Sequence, residues 1–241
     1  MYHSITFGTK NTWTDWKLVP TSRPVFDPPE VKTILIDVPG SDGSIDLTES
    51  LTGYVRYENR KGSFEFKVHT KEDWVEVYSS ILDYLHGQRQ KIILEDDPAY
   101  YYMGRASVNS WKSNKNYSLI TIDVVAEPYK YEMYSSTEDW KWDPFNFETG
   151  IIREYEDIRI DGELTYNIDG NRKPVVPTIT VTSDDGSGMV AMPYDNAYAY
   201  RRINLSDGAN RSPYLVIKEG RNRIRFIGSG TVTIDYRGGR L

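Results

Sequence analysis

Glu95, Asp96 and Asp97 stand side by side. Neighbouring carboxylates can divide the roles of general acid and general base, as in glycoside hydrolysis. This run, however, sits between a strand-like segment and Pro98, where acidic side chains solvate a turn. Asp184-Asp185-Gly186 and Asp169-Gly170-Asn171 look like fragments of calcium loops. Neither has the alternating oxygen ligands closed by a glutamate that such a loop requires, so turn chemistry accounts for both. The three histidines, His3, His69 and His86, are far apart and have no partner in a metal or nucleophile pattern; they read as surface or cap residues.

Two glycine-rich stretches, "SDDGSG" (183–188) and "GSGTVTI" (228–234), precede strand-like runs rather than helices. A phosphate cradle needs the N-terminus of a helix, so both are expected to be hairpin turns. No Walker, dinucleotide or nucleophile-elbow pattern is present. Arg221, Arg223 and Arg225 alternate with Ile224 and Phe226 behind them. They fit a solvated strand face, or a contact with an acidic protein. Trp140, Trp142, Phe145 and Phe147 crowd "TEDWKWDPFNF" (137–147). They would serve as linker aromatics packed on a core, as a sugar-stacking platform, or as an interface anchor. No residue is assigned a catalytic, cofactor-binding or metal-ligating role, and the chain is read as no enzyme.

The elements that carry these residues are mostly strands. "SITFG" (4–8) and "TDWKLV" (14–19) flank a polar turn at Lys10-Asn11-Thr12. "TILIDV" (33–38) stops at Pro39-Gly40-Ser41-Asp42-Gly43, where proline fixes φ and glycine supplies positive φ. "GYVRYENR" (53–60) and "GSFEFKV" (62–68) alternate and predict neighbouring strands joined near Lys61-Gly62. One amphipathic helix is predicted over 71–86. Its apolar stripe is Trp74, Val77, Tyr78, Ile81, Leu82 and Leu85, with Thr70 as N-cap, Asp73 three residues on, and Gly87 as the C-terminal stop. "QKIILED" (90–96), "YYYMGRASV" (100–108) and "YSLITIDVVA" (117–126) follow, the last two joined by a turn at Asn114-Lys115-Asn116. The second half predicts only short strands: 151–161, 164–169, 178–183, 188–194, 200–206, 214–220, 222–228 and 231–237. Strands spaced in this way predict a sandwich or jelly roll. The domain boundary is placed near 130–145.

Composition sets the class. The 241 residues are 39% hydrophobic and 27% charged, as in a folded protein, and 19 Tyr favour pleated surfaces and contact faces. With no cysteine, disulfides, thiolate nucleophiles and Cys-ligated metals are excluded. The net charge is −6 and neither half is basic, which argues against a protein that grips nucleic acid. The N-terminus has no basic start and apolar core, so no signal peptide is expected. No apolar run approaches the ~20 residues of a membrane helix.

"ITFG", "TWTDWKLVP", "VPGSDGSIDLTESLTGYVRYENRKGSFEF", the helix and "EPYKYE" together resemble the distal tail protein (Dit) family of long-tailed phages. Val38-Pro39-Gly40, Asp42-Gly43, Asp46-Leu47 and Pro128-Tyr129-Lys130 carry the likeness, with "GSGTVTIDYRGGRL" at the end. The resemblance implies a mainly β protein. Residues 1–132 would form an N-terminal β-sandwich-like, ring-forming domain with one helix, and 133–241 a C-terminal galectin-like β-sandwich. It implies a hexameric hub in the virion tail, set between the major tail tube protein and the tail-tip or tail-associated lysin protein. Receptor-binding proteins would be further partners, DNA would pass through the ring, and no cofactor is called for. The alternative is a carbohydrate-binding β-sandwich module involved in host-surface adsorption, on the strength of Trp140 and Trp142.

Overall fold

Residues 60–68 alternate without a break, and that alternation builds a strand at the heart of the N-terminal sheet. In a computed structural model of the chain, Gly62, Phe64, Phe66 and Val68 point into the core while Lys61, Ser63, Glu65 and Lys67 point out. The structure describes residues 2–68, 74–113, 118–138, 154–194 and 201–241. They fall into two compact units, Met1–Lys130 with Leu241, and Tyr131–Arg240. The fold is mainly β in both.

The first unit contains β1 (Ile5–Phe7), β2 (Lys10–Asn11), β3 (Leu18–Pro20), β4 (Leu35–Asp37), β5 (Ser44–Asp46) and β6 (Arg60–Val68). The helix α1 (Trp74–Leu85) follows, and then β7 (Arg89–Leu94), β8 (Tyr100–Ser113) and β9 (Ser118–Ala126). Seven strands form one curled antiparallel sheet in the order β2-β1-β7-β8-β9-β6-β3. Helix α1 covers its apolar face. Ile81 and Leu85 are fully buried against Phe7, Leu18, Phe66, Ile92, Ile120 and Ile122, and Trp74, Val77, Tyr78 and Leu82 pack around them. Each fully buried side chain of this kind contributes about 1.5–3 kcal/mol. Gly87 ends the helix with φ +73° and donates its N–H to the Ala106 carbonyl at 2.8 Å. The predicted cap residues Thr70 and Asp73 lie outside the described residues, as do His69 and the turn Asn114-Lys115-Asn116.

Local side-chain bonds move several predicted boundaries. Lys10-Asn11 is strand β2, not the turn; the reversal falls at Gly8-Thr9 (Gly8 φ +59°). Asn11 Oδ1 then accepts from the Trp13 and Thr14 amides at 2.9 and 3.2 Å, coiling residues 12–16. The strand predicted from Thr14 therefore starts only at Leu18. Lys61-Gly62 is no turn either. It lies inside β6, where Gly62 passes under the Phe26 and Phe64 rings with no room for a Cβ. Residues 53–59 form no strand, apart from a bridge between Tyr57 and Val31.

The second unit begins within β10 (Lys130–Glu132) and continues through β11 (Ile158–Gly170), β12 (Thr178–Ser183), β13 (Met189–Tyr194), β14 (Ile203–Leu205), β15 (Gly208–Asn210), β16 (Gly220–Asp235) and β17 (Gly239–Arg240). Its axis is β16. On one side β11 pairs along it from Ile158↔Val232 to Gly170↔Gly220. On the other, β13 takes Arg223–Ile227 and β12 takes Gly230–Asp235. The sheet thus curls around one core of Ile160, Ile168, Ile179, Val181, Phe226, Val232 and Ile234. Four predicted strands are in truth two long ones. Gly162, read as a break, stays in β11 opposite Gly228, and "GSG" is the interior of β16 instead of a hairpin turn. Gly228 and Gly230, at φ +146° and +141°, let the strand bend from one neighbour to the next. "SDDGSG" links β12 to β13, which do not pair with each other. Residues 214–219 make only the Val175–Ile217 bridge.

Candidate functional site

Among the described residues, the carboxylates singled out for chemistry hold other parts of the fold. Glu95 Oε2 accepts from the Ser4 amide at 2.6 Å and the Ser4 hydroxyl at 3.0 Å. Asp96 bonds His3 Nδ1 at 2.8 Å and accepts from Arg23 Nε at 2.6 Å. The hydrogen bond to His3, with help from Arg23, holds the Asp96 carboxyl below its ordinary value. Asp97 takes the Lys130 ammonium at 2.7 Å. The carboxylate run therefore fastens β1 and the exit of β9 to the end of β7. His86 Nδ1 accepts from the Val108 amide at 3.2 Å.

In the second unit Asp184 accepts a bidentate pair from Arg159 at 2.8 and 2.7 Å. Asp185 accepts from the Ser187 amide and hydroxyl at 2.9 and 2.6 Å. These bonds lower the pKa of both carboxyls. Asn171 donates to Glu132 at 2.8 Å. Among the described residues no group of three or more His, Asp or Glu could hold a metal ion. Arg225 is paired with Glu163, and Arg221 lies 3.8 Å from Asp169, so both meet carboxylates of the neighbouring strand β11. Trp140, Trp142, Phe145 and Phe147 lie outside the described residues.

What stands out is a segment with nothing under it. Every residue from Glu30 to Asp46 is exposed. Within it β4 and β5 pair only with each other, Leu35 opposite Asp46 and Ile36 opposite Ile45. Successive strand residues face opposite sides, yet Leu35 is 59% and Ile36 45% exposed, so neither face of the ribbon is covered. Val31, Ile34, Val38, Ile45 (53%) and Leu51 (84%) extend the apolar surface. Sequence reading found the turn here but took "TILIDV" for an ordinary strand, because apolar character alone does not say which surface will cover it.

The arm is nonetheless well specified. Pro39-Gly40, with Gly40 at φ +86°, makes the turn, closed by the Ser41 amide donating to the Val38 carbonyl at 3.1 Å. Ser44 Oγ donates to Asp37 at 2.5 Å. Asp46 accepts from the Thr48 amide at 2.9 Å, and hydrogen bonds from Thr48 lower its pKa. Thr48 in turn accepts from the Ile34 amide at 3.1 Å. At the root, the Lys32 amide donates to the Arg56 carbonyl and the Glu58 amide to the Glu30 carbonyl. A two-stranded ribbon is marginal in water, and this one carries exposed apolar side chains on both of its faces.

The other motif that sequence reading singled out, Pro128-Tyr129-Lys130, is fixed by Arg60. Arg60 is 6% exposed, and its guanidinium lies over the Tyr102 ring and donates from Nε to the Pro128 carbonyl at 2.6 Å. Burial lowers its pKa. Its role was missed because an arginine at a strand start reads as solvated.

No family model and no curated protein matches the chain. Among solved structures, the chain matches the crystal structure of the Dit protein of phage SPP1 with probability 1.00 and a TM-score of 0.55. The identity is 12%, and the match covers 99% of each chain. That protein is described as a paradigm of the hub adsorption apparatus in phages infecting Gram-positive bacteria. The chain has the Dit fold, and none of the described helices is long and apolar enough to cross a membrane.

Proposed function

We propose that this chain, built on the distal tail protein fold, is a structural hub of a long-tailed phage or prophage tail tip and not an enzyme. Six copies form a ring through residues 1–132. The ring joins the tail tube protein to the tail-tip or tail-associated lysin protein and carries receptor-binding proteins, and DNA passes through its centre. The segment 133–241 is a galectin-like sandwich that projects from the ring. One observation carries the reading: the likeness to SPP1 Dit runs through both units, over 99% of each chain. The arm agrees with it, since a part that works by assembly must present uncovered surface.

Light scattering after size exclusion, with negative-stain microscopy, tests the reading. The expected species has the mass of six 27.8 kDa chains and a central hole. A chain that remains a monomer at every concentration, or that binds glycans on an array and loses them on Trp140→Ala, overturns it in favour of the carbohydrate-binding reading.

A further inference from the structure

We propose that the arm of one copy docks on the outer face of the seven-stranded sheet of a second copy. The inference deepens the hub reading and rests on it only for the closure of this contact into a ring. The arm is acidic as well as apolar: residues 30–53 hold Glu30, Asp37, Asp42, Asp46 and Glu49 against Lys32 alone. The sheet face opposite α1 has the opposite character. One cross-strand row reads Lys61, Val125, Arg105, Arg89, and another reads Lys67, Leu119, Lys112. Residues in register lie on one face. Lys61, Lys67, Arg89, Arg105 and Lys112 are all exposed there. Of the face's carboxylates only Glu65 is exposed, while Asp123 and Glu127 are half-buried and hold Ser63 and Arg89. Val125, 49% exposed, sits in the middle of the basic row.

The two surfaces complement one another. Isoleucine and leucine side chains of the arm would cover Val125 and Leu119, with arm carboxylates set among the cations around them. Two arms would instead bring carboxylates against carboxylates, which disfavours arm-to-arm pairing. Arg105 and Arg89 are directly opposite across the strands, with Glu127 set beside Arg89 and the Gly87 carbonyl accepting from Arg105. Each copy owns one arm and one face, so the contact is head-to-tail, the kind that generates rings when its rotation closes.

The full-length chain tests this by charge exchange. Asp42→Lys/Glu49→Lys alters the arm and Lys61→Glu/Lys67→Glu the face, all at exposed positions. Circular dichroism should be unchanged. Each pair alone should raise the concentration for half-assembly at least tenfold, and the two combined in one chain should recover most of the loss. Leu35→Ser/Ile45→Ser should weaken assembly by a similar factor. Oligomers that survive all three variants overturn the docking site and leave the hub reading standing. Loss with the arm variants but not with the face variant also overturns it, because the arm then docks elsewhere. DNA binding by the wild-type face, abolished by Lys61→Glu/Lys67→Glu with assembly intact, assigns the cations to phosphate and overturns it. A wild-type chain that never associates removes both readings.

Discussion

Asp96 holds the start of the chain through His3 and Arg23, while its neighbours Glu95 and Asp97 hold Ser4 and Lys130. A carboxyl whose pKa is depressed in the folded state adds stability above the ordinary carboxylate value, near 4. That stability is lost as pH falls through the depressed folded value. Lowering pH from 6 to 3 should therefore loosen the N-terminal strand before the core. Protection factors at Thr6 and Phe7, taken against the intrinsic exchange rate at each pH, should fall in acid, and Asp96→Asn should show the lower protection already at pH 6. Equal exchange in the two proteins at pH 6 would refute the clasp. Three adjacent carboxylates look the same in sequence whether they act on a substrate or on their own chain. What separates the cases is a serine, a histidine and an arginine more than seventy residues away.

Among the elements, β16 depends on two glycines at its bend. A Cβ at Gly230 would be driven into the Thr182 carbonyl and the Ser183 backbone, and one at Gly228 would meet Met189 Cγ at 2.8 Å. Gly230→Ala should cost roughly 2–4 kcal/mol in urea unfolding, through strain and clash together. Gly186→Ala, in an open turn, should cost only about 1 kcal/mol. Similar costs at the two sites would mean the bend is relaxed. Elements with a strict period were legible in sequence: residues 62–68 of β6, β9 and the α1 stripe lie where alternation or the helical repeat put them. The merged strands were not, because Gly162, Gly228 and Gly230 carry the same local signal whether a chain turns or merely bends. Only pairing along the whole of β11 and β16 decides between the two. The arm's turn was legible from Pro39-Gly40, whereas its lack of cover is a tertiary fact with no local signature.

For the whole molecule, two cores share no residue: one is built around Phe7, Phe66 and Ile122, the other around Ile160, Phe226 and Val232. Phe66→Ala and Phe226→Ala should each cost ~3–5 kcal/mol. The double variant should lose the sum within about 0.5 kcal/mol, as for sites without shared partners. A larger departure in denaturant unfolding would show the cores to be coupled. The carboxylates of 95–97 and 184–185, and Arg221 and Arg225, all meet groups of their own chain.

The bare ribbon carries a hazard of its own. Two open edges and a Thr-Ile-Leu-Ile run are the raw material of cross-β fibres. Asp37, which ends the apolar run, and Asp46, opposite Leu35, act as gatekeepers against stacking, while the Pro39-Gly40 reversal keeps the run too short to grow. Replacing those aspartates with valine would trade colloidal solubility for adhesiveness, so the same few carboxylates set both how long a lone copy survives and what it can join.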